Sequence, residues 1–217
     1  ITIKGGFELA YLHPKVFNPD KEVLNSLGVK ENEVFSIIRF VSWNANHDIG
    51  HNGISLQNKI SLVNKFSEYS RVFISSEEQL PKEIEKYKFS ISVDKMHHAL
   101  YYSTLVFGES ASMASEAAYL GTQSIYLDDV GRGYTDELEK KYHLVYNFTE
   151  SHEDQVKSIE KGIEILKNKG HHSVDLKRHK LLNSVIDVNS FMYWFVVNYP
   201  KSHQIMKENP DYQNRFK

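Results

Sequence analysis

Short apolar runs alternate with amphipathic segments along most of the chain, and this alternation limits the fold more than any other feature. Runs rich in β-branched and aromatic residues, typical of strands, occupy residues 34–41, 71–75, 89–93, 104–108, 124–127 and 144–148. Segments with helical spacing of apolar residues lie between them, at 55–66, 81–87, 94–101, 114–120, 135–142 and 153–167. This order predicts an α/β fold, with a doubly wound parallel sheet of about six strands.

Capping residues mark the ends of several of these helices. Ser55 precedes the helix that carries Leu56, and Asp94 precedes the helix that carries Met96. Both side chains can accept a hydrogen bond from the first turn. Gly121 follows the helix at 114–120 and can adopt the left-handed conformation that ends a helix.

The two ends of the chain depart from the alternating pattern. Residues 1–20 look irregular and contain Pro14 and Pro19, whereas residues 171–200 form a long helical stretch with an apolar, aromatic side around Phe191. We therefore expect an interdomain linker at 1–32, a ligand-binding domain at 33–170 and a C-terminal helical extension at 171–217. The aromatic side must pack on the domain itself, on a missing partner domain or on a second copy of the chain.

Composition excludes several classes of function. Lys plus Arg is 26 and Asp plus Glu is 28, giving a net charge of −2, which gives no support to nucleic-acid binding or to a polybasic membrane role. The absence of cysteine excludes disulfides and thiol catalysis, and it fits a cytoplasmic protein. The longest apolar run, 191–197, is too short to span a membrane. The start at Ile1 suggests a piece of a longer protein.

The segment after the fourth predicted strand is the most informative candidate site. Ligands of open parallel sheets bind beyond the carboxyl ends of the strands, and here Gly108 is followed by a helix start. Unpaired N–H groups at such a start form a ready anion site. The candidate phosphate-binding residues are Ser110, Ala111, Ser112 and Met113, and Glu116 lies one turn after Ser112 to meet a sugar hydroxyl. The alternative is that the serines only cap the helix and Glu116 is solvated.

The loop after the first predicted strand is the second candidate. Arg39 lies inside an apolar strand, where a charge is rarely left unpaired. The loop then offers Trp43, Asn44 and His47 to a polar ligand. His47, Asp48 and His51 also suggest a metal site, but no further ligand at a known spacing supports one, so we expect no metal.

Two further positions complete the candidates. In the pair His97 and His98, one side chain is expected to face the cleft and the other solvent. Asp128 and Arg132 follow the fifth predicted strand and either contact a sugar or form a solvated turn. No phosphate loop of the Gly-x-x-x-x-Gly-Lys type, dinucleotide-binding glycine motif or nucleophile elbow occurs, so a P-loop enzyme or a dehydrogenase is not expected.

Four motifs together resemble an uncharacterised prokaryotic family of predicted glycosyltransferases. They are Tyr-Leu-His-Pro at 11–14, Arg-Phe-Val-Ser-Trp-Asn-Ala-x-His-Asp at 39–48, Gly-x-Ser-Ala-x-Met-Ala-Ser-Glu-Ala-Ala at 108–118 and Trp-Phe-x-x-Asn-Tyr-Pro at 194–200. That family is similar to non-hydrolysing UDP-N-acetylglucosamine 2-epimerases and to GT-B glycosyltransferases. The resemblance implies the Rossmann-like C-terminal half of a two-domain enzyme, which binds a nucleotide-sugar donor.

The resemblance also implies roles for individual residues. Residues 110–112 match the loop that receives the diphosphate, although the two glycines of the epimerase loop are absent, and Glu116 matches the carboxylate that holds the ribose. Arg39 lies near, but out of register with, a phosphate-binding position. The carboxylates Glu109 and Glu116 are seven residues apart, not the eight of many retaining transferases, so the stereochemical course stays open.

The function that this resemblance implies is transfer of a sugar from a UDP-sugar. No cofactor is expected, because the nucleotide-sugar is a substrate, and the catalytic base would lie in the N-terminal domain. A nucleotide-sugar epimerase and a non-catalytic ligand-binding or assembly module of the same fold are the alternatives.

Overall fold

The computed structural model describes residues 1–42, 53–168 and 171–217. In this part of the chain one sheet of five parallel strands runs in the order β2-β1-β3-β4-β5. The strands are β1 (Phe35–Phe40), β2 (Arg71–Ser76), β3 (Leu105–Gly108), β4 (Gln123–Leu127) and β5 (Val145–Phe148). The α/β class and the parallel sheet that the alternating pattern predicted are confirmed.

Ten α-helices lie within the described residues. They are α1 (Leu9–Leu12), α2 (Glu22–Leu27), α3 (Leu56–Ser67), α4 (Met96–Tyr102), α5 (Ala111–Leu120), α6 (Gly133–Tyr142), α7 (His152–Asn168), α8 (His171–Ser184), α9 (Val188–Val197) and α10 (Lys201–Glu208). Short 3₁₀ helices cover Glu85–Tyr87, Val93–Lys95 and Pro210–Phe216. Ser55 caps α3 by accepting a hydrogen bond from the Asn58 N–H at 3.3 Å, as the sequence predicted.

Helices cover both faces of the sheet, because alternate strand residues point to opposite sides. In β1, Ile38 and Phe40 pack with α3 and α7, whereas Phe35 and Ile37 pack with α2, α4 and α5. Both faces are therefore buried, which is the usual condition of a parallel sheet.

The segments that flank the sheet domain pack against it and against each other. Leu9 and Leu12 of α1 are buried in the core beside α5. The Lys4 carbonyl accepts a hydrogen bond from the Ile186 N–H at 2.9 Å, and the Lys4 N–H donates to Gln213 Oε1 at 2.7 Å. Residues at the beginning and end of the chain thus lie side by side.

The strand predicted at 89–93 is wrong. Beside β2 this segment makes one isolated bridge, between Ile74 and Lys88, with a hydrogen bond from the Phe89 N–H to the Ile74 carbonyl at 3.2 Å. Phe89 turns its ring onto Phe73, with centroids 5.4 Å apart, and the chain then enters the 3₁₀ turn before α4. Asp94 lies inside that turn rather than at the cap of α4.

The long helical stretch predicted at 171–200 is two helices, because Asp187 begins a new one. Its carboxylate accepts hydrogen bonds from the Ser190 N–H and hydroxyl, each at 3.0 Å, and so caps α9. Phe191 and Trp194 of α9 then pack with Tyr212 and Phe216, which lie in the last 3₁₀ helix and not in an open polar tail.

Replacing Asp187 with alanine is expected to lower the free energy of unfolding by about 1 kcal/mol, since this is the typical effect of losing an N-cap. Urea denaturation measures the difference. Glu137→Ala is the control, because the exposed carboxylate of Glu137 lies beyond the first turn of α6 and forms a surface ion pair with Lys141 at 2.7 Å, a pair of a kind worth about 0.3–0.5 kcal/mol. Equal stability of the two variants would contradict a capping role for Asp187.

Helix α9 presents apolar side chains on its outer side as well as its inner side. Val188 and Phe191 are buried, whereas Tyr193, Val196, Val197 and the following Tyr199 are largely exposed. Within the described part of the chain, α9 and every other helix are too short or too polar to cross a membrane.

Candidate active site

The strand order places a crevice between the carboxyl ends of β1 and β3. The chain leaves β1 toward β2 on one side, and β3 lies on the other side, so the two connections diverge at this point. In open parallel sheets, ligands bind at such a divergence. Gly108, the last residue of β3, pairs with Arg39, and the Glu109 N–H donates to the Arg39 carbonyl at 3.1 Å.

Helix α5 begins directly at this crevice. Ser110 caps it, its hydroxyl oxygen accepting a hydrogen bond from the Met113 N–H at 3.3 Å. The N–H groups of Ala111 and Ser112 belong to the first turn, which has no intrahelical acceptors and carries the positive end of the helix dipole. No acidic residue lies in that turn. The predicted anion site therefore has the required backbone donors, while the Met113 side chain packs into the core instead.

Ser112 is the exposed serine of the pair, and it faces α6. The phenol of Tyr134 lies near it, and burial and the nearby charge of Glu8 raise the pKa of Tyr134. Tyr134 therefore remains a neutral phenol beside the beginning of α5. Sequence reasoning missed this residue, because contacts between the beginnings of two helices have no local signature.

Glu109 is a buried carboxylate that sequence reasoning did not assign to the site. Its side chain accepts hydrogen bonds from the Val41 N–H at 3.1 Å and from the Ile54 N–H at 2.6 Å. It thus ties together the two ends of the loop that follows β1. An acidic residue directly after a buried strand was the available signal.

Arg39 points toward β2 rather than toward α5. Its guanidinium donates to Ser75 Oγ at 2.8 Å and forms an ion pair with Glu77. Glu77 in turn accepts hydrogen bonds from the Ser42 N–H at 3.0 Å and from the Ser42 hydroxyl at 2.9 Å. The structure therefore pairs the charge of Arg39 and uses it to hold the beginning of the loop.

Glu116 lies on α5 in contact with α4 and with the N-terminal segment. Its Oε1 accepts a hydrogen bond from the Tyr11 hydroxyl at 2.9 Å and lies 3.2 Å from His97 Nε2. The side chain of Glu116 is 16% exposed. His98 faces away, its Nδ1 accepting from the Asp20 N–H at 2.9 Å while its ring stacks on Phe17. Of the histidine pair, His97 is thus the one beside the candidate site.

Asp128 organises the loop between β4 and α6. Its buried carboxylate accepts hydrogen bonds from Tyr126 and from the Val130 N–H, the latter at 2.9 Å, and lies 3.2 Å from Arg132. Burial raises the pKa of Tyr126, and the hydrogen bond to Asp128 raises it further. The guanidinium of Arg132 is partly exposed, so it is the member of this group that can meet a ligand.

Trp43, Asn44 and His47 lie outside the described residues, as do Asp48 and His51 of the metal alternative. Among residues 1–42, 53–168 and 171–217, no three His, Cys, Asp or Glu side chains are arranged to hold a metal ion.

A cavity of about 200 Å³ lies at the opposite, amino-terminal edge of the sheet. Its wall includes Phe35, Tyr101, Tyr102 and Thr104, and its ionisable lining is balanced between three cations and three acids. It is separate from the crevice at which α5 begins.

Comparison with solved structures identifies proteins of the same fold. A protein assigned as a UDP-N-acetylglucosamine 2-epimerase from Listeria monocytogenes is 16% identical, with a TM-score of 0.59 over 89% of this chain and 52% of that chain. A second UDP-N-acetylglucosamine 2-epimerase is 12% identical, with a TM-score of 0.50 over 90% of this chain and 52% of that one. The chain shares the fold of these epimerases.

A third match, the wall teichoic acid polymerase TagF, is 12% identical with a TM-score of 0.49, covering 93% of this chain and 51% of that chain. No family model matches the sequence, and no curated protein matches it. The predicted resemblance is thus confirmed for the Rossmann-like fold, and the chain spans about half the length of the structures it matches.

Proposed function

We propose that this chain is the donor-binding domain of a GT-B-type glycosyltransferase that uses a UDP-sugar. The observation that supports this most directly is the beginning of α5 at the strand divergence, with a serine cap, an exposed Ser112 and no acidic residue in its first turn. A diphosphate is the ligand whose charge and size suit such a helix terminus.

The leaving group of a glycosyl transfer is a nucleoside diphosphate. The beginning of α5 would therefore stabilise the negative charge of that diphosphate. The N–H groups of Ala111 and Ser112 would donate to it, with the Ser112 hydroxyl and the Arg132 guanidinium beside them. The carboxylate of Glu109 would be partly compensated beside the phosphates, because it accepts hydrogen bonds from the N–H groups of Val41 and Ile54.

The nucleoside would extend from the diphosphate along α5. Glu116 would accept hydrogen bonds from the ribose hydroxyls, with His97 beside it, and the loop that carries Trp43, Asn44 and His47 would contact the base or sugar. Arg39 would act indirectly, since its ion pair with Glu77 holds Ser42 at the beginning of that loop.

The remaining parts of the proposal concern the whole protein. An N-terminal domain would complete the cleft and supply the catalytic base, because the matched structures are about twice as long as this chain. Neither a metal nor another cofactor is needed if the helix terminus and Arg132 neutralise the diphosphate. We place the enzyme in the cytoplasm, where nucleotide-sugars are the donors, and α9 would pair two copies.

A nucleotide-sugar epimerase is the second candidate, favoured by the two matches with TM-scores of 0.59 and 0.50, which are both UDP-N-acetylglucosamine 2-epimerases. Product analysis with the full-length protein separates the two reactions. Transfer releases one UDP for each sugar moved, whereas epimerisation yields a new nucleotide-sugar and no net free UDP.

A non-catalytic module of the same fold is the third candidate. It is favoured by the charges of Arg39 and Glu116, which already have partners within the chain. Such a module would process no nucleotide-sugar in the full-length protein under any of these assays.

Calorimetric titration with UDP tests the proposed function. We expect UDP to bind, and Glu116→Ala to weaken binding at least about tenfold, because hydrogen bonds to a charged group contribute about 1.5–3 kcal/mol. Glu164→Ala on the exposed side of α7 is the control, since Glu164 pairs only with Lys161 among the described residues. Absence of heat with UDP, ADP, GDP, CDP and dTDP alike would rule out the proposed function.

A further inference from the structure

Tyr11 and Glu8 attach the N-terminal segment to the same helix that forms the candidate site. One turn apart in sequence, they contact neighbouring residues of α5: Glu8 Oε1 accepts from the Ser115 hydroxyl at 2.6 Å, and the Tyr11 hydroxyl donates to Glu116 Oε1 at 2.9 Å. The intervening Leu9 is buried. Helix α1 is therefore fixed, and Tyr11 is the most exposed of these three residues, at 45%.

The two oxygens of the Glu116 carboxylate differ in their hydrogen bonding. Oε1 receives the Tyr11 hydroxyl and lies within 3.2 Å of His97 Nε2, whereas Oε2 has no hydrogen bond within residues 1–42, 53–168 and 171–217. A ribose offers two neighbouring hydroxyls, and a carboxylate binds such a pair with one oxygen for each. Tyr11 Oη and His97 Nε2 together take both lone pairs of Oε1, so with Tyr11 in place only Oε2 is open to a sugar.

The Tyr11 hydroxyl also remains a donor under all ordinary conditions. Burial raises the pKa of Tyr11, and its hydrogen bond to Glu116 and the negative charge of Glu116 raise it further. Its ring lies against that of His97, with centroids 5.4 Å apart. Phe17 meets the same imidazole edge-on at 6.4 Å, so the imidazole is held between two rings.

We infer that Tyr11 is an internal competitor of the ribose: its hydroxyl occupies the carboxylate oxygen of Glu116 that a bound nucleotide needs, and it thereby lowers nucleotide affinity and favours release of the nucleoside diphosphate product. This inference rests on the proposed function. Because α1 is anchored, displacement requires only rotation of the Tyr11 side chain toward solvent and not movement of the N-terminal segment.

Tyr11→Phe tests the inference, since it removes one oxygen atom and keeps the ring on His97. We expect the variant to bind UDP about fivefold more tightly than the unchanged protein, because the Tyr11 hydroxyl no longer competes for a charged acceptor. For 2′,3′-dideoxyuridine diphosphate, which has no ribose hydroxyls to offer, the two proteins should bind equally. Calorimetry measures both affinities, and thermal unfolding checks that each protein is folded.

Two further proteins complete the design. Tyr102→Phe is the matched control, because Tyr102 lies on α4 beside the cavity at the opposite edge of the sheet, and its affinity for UDP should not change. In the Glu116→Ala background, Tyr11→Phe should have no effect, because the competed acceptor is gone.

The outcomes separate the inference from the proposed function. If the unchanged protein binds UDP and Tyr11→Phe leaves the affinity equal or weaker, the inference is wrong and the proposed function stands. An equal gain for the dideoxy nucleotide would also overturn it, because the effect would not involve the ribose. If neither the unchanged protein nor Tyr11→Phe binds UDP or another nucleoside diphosphate, both the proposed function and the inference fail.

Discussion

Gly108→Ala is expected to lower the free energy of unfolding by about 3 kcal/mol or more, a substantial part of the stability of a typical domain. A Cβ atom at residue 108 would lie 2.1 Å from the Arg39 carbonyl oxygen and 3.0 Å from the Arg39 nitrogen. Both are backbone atoms of β1, so neither can rotate away. To remove this clash, β3 would have to separate from β1 at the crevice, and the pairing that positions α5 would be broken.

Urea denaturation of the unchanged protein and of Gly108→Ala measures this effect. Gly133→Ala is the control, because no heavy atom lies within 4 Å of a Cβ atom built there, at the first residue of α6. Alanine at a compatible helical position should leave stability unchanged or raise it by about 0.4–1 kcal/mol. If Gly108→Ala were as stable as Gly133→Ala, the close approach of β3 to Arg39 would be incorrect.

Glu109→Ala is expected to lower the free energy of unfolding by about 2–4 kcal/mol. The substitution removes the acceptor of the buried Ile54 N–H, whose loss costs about 1–3 kcal/mol, and of the partly buried Val41 N–H, which loses less because water can reach it. Glu109→Gln should lower the free energy of unfolding less than Glu109→Ala does, because the glutamine amide keeps one oxygen acceptor. The measurement is again the urea midpoint, at constant slope of the transition.

The control for this experiment is Glu160→Ala, on the exposed side of α7, which should change stability by less than about 0.5 kcal/mol. Stability of Glu109→Ala equal to that of the control would show that the buried carboxylate does not hold the loop ends.

Most of the sheet could be predicted from the sequence because each strand is short, apolar and bounded by turn residues. Five predicted strands correspond to β1–β5, and the exception at 89–93 has the same composition. What distinguishes it is its position beside β2, one of the two edge strands: beyond the bridge at Lys88 the chain leaves β2 to reach α4. Pairing depends on this tertiary context, which composition alone does not contain.

In the candidate site too, contacts between residues close in sequence could be predicted, whereas contacts between distant residues could not. The serine cap of α5 depends on a residue three positions away, so Ser110 could be predicted. The partners of Arg39 and Glu116 could not, because Glu77 is 38 residues from Arg39 and Tyr11 is 105 residues from Glu116. Only the strand order and the docking of α1 bring these side chains together.

The hydrogen bonds of Glu109 have a consequence for how sequences of this fold can vary: the sheet does not depend on the length of the segment after β1. Because one side chain closes the chain between Val41 and Ile54, residues between those two positions can change in sequence or number while the strands and α5 keep their places. Lengthening a loop that is already closed costs little, since the closure entropy grows only with the logarithm of its length. Variation in the number of residues between Val41 and Ile54 therefore need not refold the sheet domain.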